Sequence, residues 1–330
     1  MCGDKIRYRV LLFLCLLSSA LTASSANGGA DGPSDASGPV VPLVAPLSLI
    51  DDRGRNIRLD LFAHRIVSLS PSITELVFSA GAGSRLVGAS RYSDYPDEAK
   101  SVPEIGDASG LDFERILALK PDLVIAWHSG SMGMDIAKLE KLGLTVFAAE
   151  AARLDDIPRL LRAFGTLAGT YVQADSAAGA YEGELKGIKR RYGTRNKISV
   201  FQLIWDQPLM TINAQHMASD IINTCGGVNV FASTPSLTQV VSEEELLMAD
   251  PDAIVTSVSL KLGDTDSNAR RRRFSQISAV RNNNIFFLHP DLINRQTVRT
   301  LGAVKAVCAQ LESVRSLREK RHTRSIPGTG

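Results

Sequence analysis

Short apolar strands alternate with helical segments along most of this chain, and this alternation limits the possible fold more than any other feature. The strands predicted in the first half are, in order, RIVSLS, LVGAS, DLVIAW and TVFAAE, with one helical segment between each pair. Strands and helices alternate again from KISVFQLIW onward. Because buried parallel strands need helices on both faces of their sheet, this pattern predicts an α/β fold. The segment LSLIDDRGRNIRLDL, which lies before the first of these strands, predicts a β-hairpin.

A long segment without strands, residues 153–193, interrupts the alternation. Its apolar residues recur with helical periodicity, and Gly165 and Gly169 weaken the helix locally, so it is either one long helix or two joined helices. We therefore predict two parallel-sheet α/β lobes, residues 47–152 and 194–318, joined by a long connector helix.

The N-terminal residues have the composition of a secretory signal peptide. Basic residues precede a short apolar run, Val10–Leu17, and small residues follow it. The run is too short to span a bilayer as a helix. We predict that residues 1–26 are a signal peptide cleaved after Ala26. The alternative, a lipoprotein signal at Cys15, is disfavoured because Leu14 stands where such signals carry Gly or Ala.

Two further segments lack the apolar periodicity of a packed core. Residues 27–46 are rich in Gly, Ser, Pro and Ala and predict a flexible linker. Residues 319–330 predict a disordered basic tail.

Two cysteines, Cys225 and Cys308, remain after removal of the predicted signal peptide. In an oxidising compartment a pair of cysteines predicts a disulfide. Two buried free thiols are the alternative.

Charge and motifs exclude several classes of function. The 37 basic and 35 acidic residues leave a net charge of +2, which disfavours nucleic-acid binding. The densest charge, Arg270–Arg273, predicts a solvated loop or helix start. The sequence has no G-x-S-x-G elbow, phosphate-binding loop or H-E-x-x-H motif. His128, His216 and His289 can converge near a cleft, but surface or locally bonded histidines are the simpler interpretation. We therefore predict neither catalytic residues nor a metal site.

One unit of the chain occurs twice. Residues 113–127, FERILALKPDLVIAW, align on their proline with residues 243–257, EEELLMADPDAIVTS, at an offset of 130 (251 − 121 = 130). The match favours two similar lobes with a cleft at the carboxyl ends of their strands. Alternatively, any βα fold repeats units of this kind.

The repeat aligns two glutamates, Glu114 and Glu244. Asp112 and Ser242 are suitable N-caps, so both glutamates occupy the second position of a helix. Acidic residues there interact favourably with the helix dipole. The functional interpretation is a pair of acidic contacts, one on each lobe, for a two-fold symmetric partner.

Five candidate ligand-binding residues follow predicted strands. Trp127 and Trp205 end two strands, Tyr92 follows a third, and Asp291 and Arg295 follow a fourth. Flat aromatic faces with polar edges suit a large planar or macrocyclic ligand. A structural role for each tryptophan is the alternative.

The start of the first predicted helix is ambiguous. Ser72 and Glu75 have the spacing of a capping box, whereas Ser70 and Pro71 suit the N-cap and first helical positions.

Six segments carry a resemblance to a known family. They are SLSPSITELVFSAGA, LVGASRYSDYPDEA, LDFERILALKPDLVIAW, TCGGVNVF, VSEEELLMADPDAIV and HPDLINR. Through them the chain resembles, over about residues 64–314, the periplasmic solute-binding proteins of the iron-chelate and cobalamin class of ABC importers. The resemblance implies the helical-backbone fold of that family, with two α/β lobes, a rigid helical connector and a corrinoid in the cleft.

The resemblance also implies roles for particular residues. Tyr92, Trp127 and the Asp291–Arg295 segment fall at ligand-contacting positions. Glu114 and Glu244 match glutamates that dock on arginines of a dimeric permease in the inner membrane. Cys225 and Cys308 match the family's disulfide.

The sequence departs from the family pattern at two aromatic positions. Ala108 stands where a tryptophan precedes the first docking glutamate, and the segment PSLTQVV lacks the aromatic residue that precedes the second docking helix. We expect Trp205, at the end of another predicted strand, to replace an aromatic contact that these two positions do not provide.

The resulting prediction is a monomeric periplasmic receptor that captures cobalamin or a related corrinoid and delivers it to an ABC importer permease. Cobalamin is its transported ligand, and no cofactor or metal of its own is expected. The alternatives are a siderophore or haem receptor of the same class and a secreted metal-dependent enzyme.

Overall fold

The computed structural model describes residues 46–130, 133–258 and 274–324. The predicted signal peptide, nearly all of the predicted linker and the Arg270–Arg273 run lie outside these residues.

Short strands and helices follow one another along the described residues. The strands, in chain order, are β1 Leu47–Ile50, β2 Asn56–Leu59, β3 Ile66–Ser68, β4 Leu86–Ala89, β5 Gly106–Asp107, β6 Gly110–Leu111, β7 Leu123–Trp127, β8 Val146–Ala149, β9 Ile198–Leu203, β10 Trp205–Asp206, β11 Leu209–Ile212, β12 Gly227–Asn229, β13 Thr238–Val240, β14 Ala253–Thr256 and β15 Ile285–Phe287. The helices are α1 Pro71–Ser79, α2 Phe113–Ala118, α3 Gly133–Lys141, α4 Asp156–Ala168, α5 Tyr171–Tyr192, α6 Met217–Thr224, α7 Glu243–Ala249, α8 Ser278–Arg281, α9 Pro290–Ile293 and α10 Thr300–Arg324.

The predicted hairpin is confirmed, because β1 and β2 pair antiparallel. The Asp51 carboxylate closes its turn by accepting the backbone N–H groups of Arg53 and Arg55 at 2.9 Å each. Gly54 adopts a φ of +77°, which a glycine tolerates without steric cost.

The two lobes share one strand order. The first sheet runs β4-β3-β7-β8 and the second β12-β9-β14-β15, and every neighbouring pair is parallel. In both sheets the lobe's second strand lies outside its first, and the third and fourth follow on the other side. The prediction of two parallel-sheet lobes is therefore confirmed, and the repeated unit is the third strand of each lobe with the helix before it.

The aspartate of the repeated Pro-Asp turn has the same structural role in both lobes. Asp122 accepts the backbone N–H of Arg65, next to β3, at 3.0 Å. Asp252 accepts the backbone N–H of Ser199, in β9, at 2.9 Å. Each carboxylate thus fastens the third strand of its lobe to the first.

The segment between the lobes forms two helices, α4 and α5. Gly169 ends α4 in the left-handed region at φ +64°, which reverses the chain. Gly165 lies against Ala174 so closely that a Cβ there would come within 2.2 Å of the Ala174 methyl group. The two helices therefore pack side by side.

A single hydrophobic core joins both lobes to this helix pair. Ile66 of β3 and Val200 of β9 point into it, together with Leu160 and Tyr181 from α4 and α5. Their chain neighbours on the strands point the other way, into separate outer clusters. Each sheet thus buries one face against the shared helices and the other against the outer apolar cluster of its own lobe.

Two predictions are corrected by the structure. The strand predicted over KISVFQLIW ends at Leu203, and Trp205 belongs to a separate antiparallel sheet ordered β10-β11-β13. The chain reverses at Gln207 and Pro208, and Trp205 pairs antiparallel with Met210. Proline favours turns over central strands because it has no backbone N–H to donate.

The predicted disordered tail is wrong for residues 319–324, which continue α10 to Arg324. Those residues include no Gly or Pro, and Glu, Lys and Arg are good helix formers. Buried Arg315 fixes the preceding turn by donating to the carbonyls of Asn196 and Cys225, each at 2.7 Å. Residues 325–330 lie outside the described part of the chain.

The predicted disulfide between Cys225 and Cys308 is confirmed. Cys225 ends α6 and Cys308 lies within α10, and both are fully buried. The bond fastens the last helix of the chain to the second lobe.

Removal of this disulfide by the double substitution Cys225→Ala and Cys308→Ala should lower the free energy of unfolding by about 2–4 kcal/mol, because the closed loop spans 83 residues. Urea unfolding followed by circular dichroism measures this change. A thiol reductant should lower the wild-type midpoint and leave the variant unaffected. Equal midpoints for the two proteins would contradict a stabilising role.

Candidate functional site

A cavity of about 500 Å³ opens at the carboxyl edge of the first sheet. Residues that follow β3, β4 and β7 line it, together with the turn between β5 and β6. Asn294 and Arg295, which follow α9, line it from the second lobe. Carboxyl ends of parallel strands are the usual ligand site of such sheets, and the volume suits a small-molecule ligand.

Tyr92 reaches this cavity from the loop after β4. Its side chain is 68% exposed, and its backbone lies in the left-handed region at φ +67°. This conformation costs a non-glycine residue of order 1 kcal/mol, so the surrounding loop must hold it. Ser93 contributes by bonding Thr74 at 3.0 Å, and the Tyr92 carbonyl accepts from Arg295 at 3.2 Å.

Trp127 is the last residue of β7, and its indole lines the same cavity. The indole N–H donates to Glu150 at 3.1 Å, and the other Glu150 oxygen accepts the backbone N–H of Ser129 at 2.8 Å. Gly130 lies directly on the ring, since a Cβ there would fall 2.0 Å from an indole carbon. The ring is therefore held by its polar edge and by this glycine.

Arg295 connects the two lobes at the mouth of the cavity. Its guanidinium donates to Asp94 at 2.6 Å and to Glu75 at 3.1 Å. Burial alone would lower the pKa of Arg295, but hydrogen bonds to Asp94 and Glu75 outweigh it and raise the pKa. The same guanidinium lowers the pKa of Asp94 below its ordinary value. Asp291, a predicted ligand residue, lies 3.4 Å from the Arg295 Nε.

Glu75, a buried carboxylate that accepts a hydrogen bond from Arg295, was not among the predicted site residues. Ser70, not Ser72, caps α1 by accepting the backbone N–H of Ile73 at 3.2 Å, so Glu75 belongs to no capping box. Its side chain is 2% exposed and also accepts from Arg299, with Nε at 2.9 Å from Oε2. The available signal was an acid within the short, mainly apolar helical segment ITELV.

The structure brings Tyr92, Trp127 and Arg295 to one cavity, and it does not bring Trp205 or Asp291 to its lining. Trp205 is 55% exposed, and its indole N–H donates to the Gln207 carbonyl at 2.8 Å.

The two aligned glutamates occupy equivalent positions in the two lobes. Glu114 is the second residue of α2, which Asp112 caps, and Glu244 is the second residue of α7, which Ser242 caps. Both are exposed, and neither carboxylate pairs with a side chain in the part of the chain that the structure describes.

The histidines do not converge on a metal site. His128 and His289 are exposed, and the Nδ1 of His216 accepts the backbone N–H of Ala218 at 3.1 Å at the start of α6. Burial lowers the pKa of His216, and nearby Glu150 opposes this shift. Within residues 46–130, 133–258 and 274–324, no three His, Cys, Asp or Glu side chains are placed to hold a metal ion. Across the same residues, every helix is too short or too polar to cross a membrane.

Comparisons with known proteins agree with this architecture. The model of the periplasmic binding protein family matches residues 66–292. The vitamin B12-binding protein of Vibrio parahaemolyticus is 34% identical over 254 residues, which cover 77% of this chain and 91% of the relative. The crystal structure of the periplasmic vitamin B12 binding protein BtuF of Vibrio cholerae superposes with a TM-score of 0.70 at 33% identity, covering 77% of this chain and 98% of BtuF.

A more distant structure shares the fold alone. The periplasmic heme binding protein HutB of Vibrio cholerae gives a TM-score of 0.65 at 19% identity, covering 75% of this chain and 98% of HutB. On the family match and the 34% identity, this chain belongs to the periplasmic binding protein family.

Proposed function

We propose that this protein is a periplasmic receptor that captures cobalamin or a related corrinoid and delivers it to an ABC importer permease. The observation that carries the proposal is the cavity between Tyr92 and Trp127, which Arg295 borders from the other lobe. The similarity to vitamin B12-binding proteins over most of the chain supports the choice of ligand.

The cavity wall matches the chemistry of a corrinoid. A corrin ring is a large flat surface with amide groups around its periphery. Trp127 and Tyr92 provide aromatic faces for such a ring. Ser72, Ser109 and Asn294 provide hydroxyl and amide groups that exchange hydrogen bonds with amides.

Delivery requires a surface that the permease recognises. Glu114 and Glu244 lie in the first turn of equivalent helices in two lobes with the same strand order, so they present acidic groups from equivalent positions. A two-fold symmetric permease with one basic site on each subunit suits such a pair. We assign both glutamates to this contact.

The remaining assignments follow from the same function. Residues 1–26 act as a cleavable signal peptide, and residues 27–46 act as a flexible linker to the mature lobes. The receptor works as a monomer without a cofactor or metal of its own and performs no covalent chemistry, because cobalamin is cargo.

The substitution Trp127→Ala should weaken cobalamin binding by roughly 1–3 kcal/mol, because it removes an aromatic face held rigidly in the cavity. Isothermal titration calorimetry measures the loss. Tyr171→Ala, which truncates an exposed aromatic residue at the start of α5, serves as the control and should bind like the wild type. Unchanged affinity in Trp127→Ala would remove this residue from the site, and absence of heat with the wild type would reject cobalamin as the ligand.

The double substitution Glu114→Lys and Glu244→Lys should abolish uptake while leaving calorimetric ligand affinity unchanged, because it reverses the charge at both proposed docking contacts. Uptake of labelled cobalamin by cells that carry the variant as their only receptor measures the effect. Asp60→Lys with Glu98→Lys, at exposed positions whose carboxylates make no ion pair with the described residues, gives the same change in net charge and should preserve uptake. Normal uptake by the first variant would contradict the docking assignment.

A further inference from the structure

Two arginines of the second lobe, Arg295 and Arg299, donate hydrogen bonds to one buried carboxylate of the first lobe, Glu75. Glu75 accepts Arg295 Nη1 at 3.1 Å and Arg299 Nε at 2.9 Å. Asp94 and Asp291 also face Arg295, so three carboxylates surround two guanidinium groups. Arg299 lies in addition over the Tyr95 ring, with 4.0 Å between its guanidinium carbon and the ring centroid. The cluster therefore has no excess of positive charge.

The hydrogen bonds of Arg295 leave little for a ligand. A guanidinium has five N–H groups. The two on Nη1 serve Glu75 and Asp94, one on Nη2 serves the Tyr92 carbonyl, and the Nε group faces Asp291. One N–H of Nη2 remains, whereas a carboxylate clamp needs two parallel donors. Arg295 thus offers the cavity a single donor.

The second arginine of the cavity wall is neutralised in the same way. Arg91 lies 2.9 Å from Glu104 and 2.9 Å from Asp107. Among the described residues that line the cavity, both cations are thus paired with carboxylates. A ligand carboxylate that enters this cavity loses water and gains no unpaired cation in return, which is costly. An amide meets no such penalty.

From this geometry we propose that Glu75 is a specificity-determining positioning residue: by occupying Arg295 and Arg299, it makes the cavity select a macrocycle with an uncharged, amide-bearing periphery over one that bears carboxylates. The inference rests on the proposed function, because it concerns how the same cavity chooses its ligand. Glu75 does not line the cavity and acts through Arg295. Its loss frees the Nη1 donor of Arg295 and the two Arg299 donors that it accepts, while Asp94 and the Tyr92 carbonyl still hold Arg295. Arg295 then offers a ligand carboxylate two donors, one on Nη1 and one on Nη2.

The test compares two probes that differ at one group. They are cyanocobalamin and its monocarboxylic derivative, in which one peripheral amide is hydrolysed to a carboxylate. Calorimetry at fixed pH and ionic strength gives the affinity ratio for each protein. The wild type should prefer the amide form, and Glu75→Gln should shift the ratio toward the carboxylate form on the order of tenfold. Glu75→Asp, which keeps the charge, should retain the wild-type preference.

Compensating variants separate charge from structural damage. Glu75→Gln combined with Arg299→Gln removes one charge of each sign and should return the ratio toward the wild-type value. Arg299→Gln alone leaves Glu75 with one arginine and should sharpen the discrimination against the carboxylate, which tests the proposal even where Glu75→Gln does not fold.

The outcomes are distinct. Equal weakening of both probes in Glu75→Gln, with an unchanged ratio in Arg299→Gln, would show a purely structural role and overturn this inference alone. A wild-type protein that binds neither probe would reject the proposed function and the inference with it.

Discussion

Both parallel sheets bury their inner faces against the same two helices, and the rest of the structure depends on this shared core. Ile66 of the first sheet and Val200 of the second belong to one apolar cluster with Leu160 and Tyr181 of the helix pair. Large separation of the lobes would expose part of this cluster to water, at about 25 cal/mol for each Å² of apolar surface. The carboxyl edges of the two sheets are therefore held at a defined spacing before any ligand arrives.

A layer of polar side chains also joins the two lobes, next to the shared apolar core. At the carboxyl edge of the first sheet, hydroxyl groups such as those of Thr74 and Ser93 bond one another, and beyond them Glu75 meets the two arginines of the second lobe. A buried carboxylate is costly without partners and tolerated with several. Arg295 thus has two roles. It joins the lobes through Glu75, and it holds the loop that presents Tyr92 by donating to the Tyr92 carbonyl.

Local pattern predicted those parts of the protein that local interactions determine. Strand and helix periodicity identified both lobes, and the ends of strands identified Tyr92 and Trp127 at one cavity. The role of Glu75 depends on partners 220 and 224 residues away, which no local pattern contains. Trp205 was misplaced because Ile204 and Trp205 continue the apolar run of β9, although Trp205 belongs to a second sheet. Because the residues remain apolar where the chain changes sheets, the hydrophobic pattern does not reveal the end of β9.

The position of the two arginines near the end of the chain imposes an order on folding. A polypeptide that leaves the ribosome N-terminus first presents α1 long before residues 295–299 have been synthesised. Until then Glu75 has no cationic partner and keeps its water, so the first lobe cannot fully close over it. Completion of the cleft therefore requires the C-terminal segment, and a chain truncated before Arg295 would lack both partners of Glu75 and one wall of the cavity.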